Sequence, residues 1–531
     1  MYKTWREIGS LYQIYPRSFQ DTNGDGVGDL KGITERLEYL SWLGVESIWI
    51  SPFFTSPMTD FGYDVADYRS VDPTYGTLED FKELLAMAHS KSIKVMIDLV
   101  PCHTSDQHPW FIESRASRDN PRREYFVWRD PAPDGGAPNN WRSLAAGQSW
   151  SFDETTGQYY LHSFLPSQPD LNWDNPTVRE EMKNVVRFWY DLGVDGLRVD
   201  AIWGISKDPD LADDPINPNY HYDLEQYGSY IHNKCKYGPN FDQYLGELAS
   251  INDEYDDRQI VFEFYPDEQL GDVYGQYQRV MNINQTASAF FMEYRQNNWH
   301  ADHTKYSIAE YLGRKGQAIP FFCIGNHDQP RVASRLGPER ARALSFMNLL
   351  TPGISVVYYG DELGMENGDL SERDIQDSFS PSHTKFDSRD LERTPMQWDD
   401  SQFAGFSTVE PWLPVNANRS HASVMNQSMS EDSPLLLHRR LLHLRQAVPA
   451  LRHGDLQCID TGNGYIVAFE RSLDGEKYIV LINFADQPQT AVLEQGVYRI
   501  VTATEHNAAS FASSHSITLA GYGGVMLTSE T

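Results

Sequence analysis

The sequence predicts an α/β chain built on a closed barrel of eight parallel strands, the (β/α)8 or TIM architecture, and three observations predict it. Eight apolar runs of strand length follow one another along the chain, each bounded by turn-forming residues. Helical patterns separate them, and alternation of strand with helix implies a parallel sheet. Four of the runs finish in ionisable residues, as strands do when they deliver side chains to one rim.

The runs are LYQIYPRSF, VESIWISPFF, IKVMIDLVPCH, VDGLRVDAI, IVFEFY, SAFFMEYR, PFFCIGNHD and ISVVYYGDEL. LEDFKELLAMAHS, VREEMKNVVRFWYDL and RARALSFMNLL carry apolar residues at helical spacing between them. Two spacings exceed a plain crossover. After His103 a Gly, Pro, Asn and Trp-rich stretch including DPAPDGGAPNNW reads as an irregular excursion, and a second follows the eighth run. Past LLLHRRLLHLRQAVPALRHG the texture changes to short alternating runs such as KYIVLINFAD and ITLAGYGGVMLTS, an all-β pattern. The expected division is a first barrel part at 1–103, an insert at 104–176, the remaining barrel at 177–450 with a second insert near 367–433, and a C-terminal β domain at 451–531.

At 531 residues the chain exceeds one ordinary domain but suits a barrel with an appended module. With 40% hydrophobic and 13% aromatic residues and no run of about twenty apolar positions, a globular protein without a membrane span is expected. The start, MYKTWREIGSLYQIYP, lacks the basic segment and apolar stretch of a leader, and Cys102, Cys235, Cys323 and Cys458 have neither paired nor metal-type spacing; both point to a cytoplasmic location with free thiols. The formal charge of -31 repels nucleic acid and anionic membranes and suits a neutral substrate.

The polar strand ends carry the chemistry. IKVMIDLVPCHTS reaches His103, GVDGLRVDAI holds Arg198 and Asp200, QIVFEFYPDE holds Glu263, and FFCIGNHDQPR holds His327 and Asp328. Three carboxylates converging on one cleft supply a nucleophile, a proton donor with a raised pKa and a fixed negative charge, the equipment for breaking a glycosidic bond with retention. Asp200 suits the nucleophile, because Arg198 two residues earlier on a strand shares its face and can hold its pKa down.

These four segments in this order, with QPDLNW from Gln168, DFGYDVADYR around Asp60 and Tyr63, and RTPMQW at Arg393, resemble the α-amylase family of retaining glycoside hydrolases, in its α-glucosidase and oligo-1,6-glucosidase branch. The resemblance covers nearly the whole chain. It implies Asp200 as nucleophile, Glu263 as acid/base and Asp328 as the third carboxylate, which grips sugar hydroxyls. Phe262 stands where the family usually has Gly, and a Gly-Glu pair occurs instead at Gly246 and Glu247; helical spacing around Glu247 places it in the helix before the strand, which favours Glu263. The resemblance further implies His103 and His327 as hydrogen-bonding partners of the same sugar, Tyr63 as the aromatic face beneath it, and Asp60 and Arg393 as ligands of its distal hydroxyls.

Asp21, Asn23, Asp25 and Asp29 place oxygens at alternate positions around Gly26, like the start of a calcium loop. With the Val27 carbonyl they are expected to bind a structural Ca²⁺ or Mg²⁺, as the resembling enzymes do in this loop. Cys102 stands where amylase relatives carry Asn, which argues against a second calcium site between barrel and insert. In the resembling enzymes the residue after the nucleophile tunes linkage: Val goes with α-1,6 bonds and smaller side chains with α-1,4. Here it is Ala201. The expected activity is therefore exo-acting hydrolysis of short α-glucosides such as maltose by a monomer or homodimer. Two alternatives are a transglucosidase, sucrose hydrolase or trehalose-forming isomerase on the same fold, and a non-catalytic carbohydrate-binding or transport-associated relative.

Overall fold

The computed structural model describes residues 3–145, 147–220, 226–293, 299–379, 387–505, 511–512 and 515–530. Eight strands close into a parallel barrel: β1 (Ser10–Ile14), β2 (Ser47–Ile50), β3 (Lys94–Leu99), β4 (Gly196–Val199), β5 (Gln259–Phe262), β6 (Ala287–Phe291), β7 (Phe321–Cys323) and β8 (Ile354–Tyr358). All eight expected runs contribute one strand each. The end of SAFFMEYR, Tyr294 and Arg295, lies outside the described residues.

Alternation along each strand sorts the side chains. Leu11, Trp49, Met96, Val261, Phe290, Phe321 and Val356 form an inner cluster with Trp5 and Ile8, whereas Ile48, Ile50, Val95, Ile97 and Leu197 belong to the larger core shared with the helices. Trp5 seals the floor. Gly196 is required there, since a Cβ would sit 2.7 Å from the Gln259 carbonyl oxygen and 3.0 Å from the Trp5 ring. Helix α1 (Leu30–Leu43) starts on Asp29, whose carboxylate accepts the Gly32 N–H, and stops at Gly44 in the left-handed region.

The first insert is more ordered than the expected excursion. It contains a helix (Pro109–Ala116) and a three-stranded antiparallel sheet, Trp128–Arg129, Gln158–Leu161 and Trp150–Asp153. Aromatic side chains give it a core of its own, with Phe111, Trp128 and Tyr160 packed against one another. The second insert has only short helical turns among its described residues, including Arg389–Glu392 and Val424–Gln427. The C-terminal module is all β, with a six-stranded antiparallel sheet from Asp455–Cys458 to Gly524–Glu530 and a two-stranded sheet, Gln489–Val492 with Ser516–Leu519. Val467, Phe469, Val480 and Ile482 join the barrel's core, and their neighbours Ile466, Ala468 and Leu481 face a separate cluster. Among the described residues no helix is long and apolar enough to cross a membrane.

Candidate active site

The C-terminal ends of the strands deliver the expected side chains to one cavity of about 330 Å³, lined by Asp60, Tyr63, His103, Asp200, Ala201, Glu263, Asp328 and Arg389. That volume lies at the small end of ligand pockets. Phe164, Trp203, Tyr265 and Phe379 supply its aromatic wall.

Arg198 organises one side of the cavity. It is fully buried, its Nη1 bonds Asp98 and, at 2.6 Å, Asp200, and its Nη2 lies 2.7 Å from Glu263. Strand register explains the meeting, because Arg198 pairs with Asp98 on β3 and Val261 on β5. One guanidinium thus faces three carboxylates. Burial raises the pKa of Asp200, Arg198 opposes it, and Glu263 and Asp98 add to the rise, so Asp200 stands above the usual carboxylate range. Arg198 lowers this pKa in the sense the sequence suggests, but burial outweighs it and the net shift is upward. Burial likewise pushes Asp98 up to about 6.

Ala201 follows in the left-handed region at φ 45°, and this turn aims its N–H at the Glu263 carboxylate, 3.2 Å away. Glu247 sits on the helix Phe241–Ala249, as its spacing predicts, paired with Arg179 at 2.8 Å.

The opposite wall is built on Asp328. Arg393 Nη2 donates to it at 2.9 Å and Arg389 Nη1 at 3.2 Å. Burial works against the charge on Asp328, but His327 and these two guanidiniums outweigh it and hold the carboxyl well below the usual range. Burial pushes His327 itself well below its ordinary value, so the arginines supply the positive charge. His327 lies between Tyr63, stacked at 5.4 Å and 5°, and Tyr15, at 5.6 Å and 25°. Its Nδ1 meets the Gln13 amide at 2.7 Å and its Nε2 the Tyr63 hydroxyl at 2.7 Å. His327 therefore positions Tyr63 and Asp328 rather than lining the cavity.

Asp60 receives Gln168 Nε2 at 2.9 Å and Arg389 Nη2 at 2.9 Å, and burial pushes its pKa up to about 6. His103 Nε2 lies 3.1 Å from the Tyr63 carbonyl, and burial lowers its pKa to about 4. Arg393 is placed differently from expectation. It is buried behind Asp328 with its Nε on the His327 carbonyl, while the arginine on the cavity is Arg389, which bridges Asp60 and Asp328 and is anchored by Asp377 at 2.6 Å. Sequence reasoning missed Asp98, Arg389 and Asp377. Asp98 was legible as the one acid inside an apolar strand; Arg389 and Asp377 sit in irregular chain with no period to mark them.

The calcium-like loop folds on its own oxygens. Asp21 accepts the N–H groups of Gly24 and Gly26 at 2.8 and 2.9 Å, Asp25 that of Val27 at 2.8 Å, and Asp29 those of Thr22 and Gly32 at 2.8 and 2.7 Å. Asn23 bonds Asp25 at 2.9 Å. The loop also clasps the second insert, through Ser407 Oγ on Asp21 at 2.6 Å and Trp412 N–H on the Gly26 carbonyl at 2.9 Å. At the joint between first insert and barrel, the ammonium of Lys207 lies 2.9 Å from the fully buried carboxylate of Asp170. Gly204 is needed beside it, because a Cβ would come within 2.5 Å of Cys102 Sγ.

Residues 13–454 match the family model described as alpha amylase, catalytic domain. The chain is 39% identical to a probable alpha-glucosidase of Rhizobium meliloti (strain 1021), over 98% of this chain and 96% of that one. It is 36% identical to an oligo-1,6-glucosidase of Parageobacillus thermoglucosidasius, over 92% of each. Among solved structures it superposes on an alpha-glucosyl transfer enzyme, XgtA, with TM-score 0.93 at 36% identity, covering 99% of this chain and 100% of that one. The trehalulose synthase MutB from Pseudomonas mesoacidophila MX-45 gives TM-score 0.87 at 36% identity over 99% of both chains, and a variant of MutB was solved with its substrate sucrose.

Proposed function

Because the chain belongs to the α-amylase family of glycoside hydrolases and is related to α-glucosidases along its length, we propose that it is an exo-acting retaining α-glucosidase that releases α-glucose from the non-reducing end of short, α-1,4-linked oligosaccharides such as maltose. The single observation that carries this reading is the sharing of Arg198. Contacts of 2.6 and 2.7 Å from two nitrogens of one guanidinium hold the Asp200 and Glu263 carboxyls close together. Retaining enzymes keep this pair about 5–5.5 Å apart, and inverting ones about 6.5–9.5 Å.

Asp200 attacks the anomeric carbon while Glu263 protonates the departing oxygen; Glu263 then takes a proton from water, which attacks the glucosyl carbon and releases Asp200. The first step requires the proton on Glu263 and the charge on Asp200, the two carboxyls that Arg198 faces. Asp328, kept ionised by Arg389 and Arg393, accepts sugar hydroxyls and opposes the positive charge growing on the ring. Tyr63, with His327 behind it, offers the ring a flat face, and His103 lines the same cavity. The Arg389 bridge from Asp60 to Asp328 across one wall of a small cavity supports exo action. The free, mostly buried thiols support a cytoplasmic location.

A second reading is favoured by the transfer enzymes among the structural relatives: delivery of the glucosyl group to a sugar instead of water. A panel of maltose, isomaltose, sucrose and trehalose, with products resolved at low and high substrate, tests both. Glucose as the main product from maltose sustains hydrolysis; new disaccharides at low substrate replace it with transfer. Ala201 leads us to expect maltose over isomaltose by roughly ten to two hundred-fold in kcat/KM, the scale set by pocket methyl groups. Equal turnover of the two removes the α-1,4 assignment. Ala201→Val should recover part of the isomaltose activity, less than side-chain size alone suggests, since a β-branched residue is strained at φ 45°.

We also propose a structural Ca²⁺ or Mg²⁺ in the loop after β1, held by Asp21, Asn23, Asp25, the Val27 carbonyl and Asp29. An all-oxygen donor set with three carboxylates fits a hard dication. Its clasp on the second insert gives the ion a stabilising role, remote from the chemistry.

A further inference from the structure

The loop after β4 gathers three side chains that the glycosidase chemistry leaves unused. Asp214, His232 and Cys235, whose spacing in the sequence follows no metal motif, come together buried, with one ligating atom of each within 4.8 Å of the others. His232 Nδ1 lies 3.0 Å from the Asp214 carboxylate and 3.5 Å from Cys235 Sγ. Its Nε2 is held on the Tyr227 carbonyl at 2.8 Å, and its ring stacks on Tyr227 at 3.7 Å. The second Asp214 oxygen accepts the Lys234 N–H at 2.9 Å. The Tyr227 hydroxyl is buried without a hydrogen-bond partner among the described residues, within electrostatic reach of Cys235 and Asp214.

We infer that this cluster is a binding site for a borderline transition-metal dication, Zn²⁺ foremost, held by the Asp214 carboxylate, His232 Nδ1 and the Cys235 thiolate, with water in the fourth position. One sulfur, one nitrogen and one oxygen are the donors Zn²⁺ takes, and bonds of about 2.0–2.3 Å separate tetrahedral ligands by roughly 3–4 Å. The 3.0 and 3.5 Å separations match that spacing before any ion arrives. Anchoring of the far imidazole nitrogen on a backbone carbonyl is the outer contact that metal-ligating histidines use to fix ring and tautomer. Binding releases the Cys235 thiol proton to solvent. Ca²⁺ and Mg²⁺ prefer oxygen ligands, so this site and the Asp21–Asp29 loop select different ions.

The position gives an ion something to hold. Asp214 exchanges two backbone-to-side-chain bonds with Asn140 of the first insert, at 2.8 and 2.9 Å. Lys236, next to Cys235, lies 4.9 Å over the ring of Trp203, which lines the cavity. An ion on the cluster would pin the β4 loop and insert together at the cavity wall.

The test uses the full chain, stripped with chelator, desalted and kept in excess Ca²⁺, then titrated with Zn²⁺ alone and Co²⁺ alone. The expected result is one Zn²⁺ per chain in competition with a chromophoric chelator, and an intense thiolate-to-cobalt band in the near ultraviolet. Cys235→Ser and Asp214→Asn should each weaken Zn²⁺ by more than roughly 100-fold, beyond the 10–100-fold of an outer-contact change, and Cys458→Ser should bind as the parent does. Circular dichroism and melting establish that each variant is folded, and Cys235→Ala replaces Cys235→Ser where it is not. A folded parent without the thiolate band, or a band that survives loss of Cys235, overturns the site and leaves a hydrogen-bonded His-Asp pair beside a buried thiol.

Discussion

Buried arginines at the two ends of the barrel are met in opposite ways. At the floor, Arg445 gives hydrogen bonds of 2.6–3.1 Å to the carbonyls of Gly9, Leu349, Thr351 and Gly353. Arg471 gives five, at 2.7–3.2 Å, to Leu350, Ala450, Leu451, Gly454 and Asp455. Burial lowers their pKa values to about 10 and about 9, which leaves both charged at neutral pH. At the rim, Arg198 is equally enclosed but meets carboxylates; its Nε has no partner among the described residues, and its Nη2 contact with Glu263 is too misaligned for a hydrogen bond. Carbonyls satisfy these two floor arginines. The rim is left to be completed by a substrate, and that shortfall is what a preorganised site directs at developing charge.

Breaking each end should therefore give opposite signatures. Asp200→Asn should cut kcat on p-nitrophenyl α-glucoside by roughly 10⁴-fold or more while the melting temperature holds or rises, because one of three competing carboxylates becomes neutral. A marked fall in melting temperature would mean that Asp200 belongs with the floor. Glu263→Gln should cost about 10²–10⁴-fold on maltose and far less on glucosyl fluoride, whose leaving group needs no proton; Glu247→Gln should change neither. Equal losses on both substrates move the acid elsewhere.

At the floor, Arg445→Met strands four carbonyls and should cost about 3 kcal/mol or more in denaturant melts, with kcat/KM per folded molecule unchanged. On the same helix, His438 is buried with its Nδ1 2.9 Å from the Pro434 carbonyl, and burial lowers its pKa from 6.5 to about 4. The unfolded chain binds its proton first on acidification, so this contribution to stability is present above pH 6.5 and lost as pH falls toward about 4. Over that range it amounts to about 3 kcal/mol. His438→Gln should flatten the acid side of the stability curve; an unaltered curve removes the assignment. The smallest effect is expected at the Asp21 loop. Chelation should remove about 2–3 kcal/mol when Ca²⁺ is near a hundred times its Kd, and Asp21→Ala should abolish the response. If Asp21→Ala melts and responds as the parent does, the loop is only a turn.

The barrel was legible because its strands are bounded apolar runs, and polar residues at the ends of buried strands stand out against them. Asp200, Glu263, Asp328 and His103 emerged in this way, and the structure brings all four to one cavity. Arg389 was invisible for the converse reason: it lies on a short helical turn of an irregular insert and reaches Asp60 across 329 positions of chain. RTPMQW drew attention to Arg393, four residues on, which stands behind Asp328. The Asp214, His232 and Cys235 cluster was equally hidden, since the fold of a loop and not a local repeat brings its members together.

Lys207 has a consequence of its own. Its ammonium fills the joint between barrel and first insert, 2.9 Å from Asp170 and also donating to the Gly204 carbonyl. A cation tethered to the backbone has an effective concentration fixed by its own chain, independent of the surrounding solution. Dilution, dialysis and competing ions therefore have nothing to remove there. The Lys207–Asp170 contact beside the cavity stays neutralised under any supply of minerals.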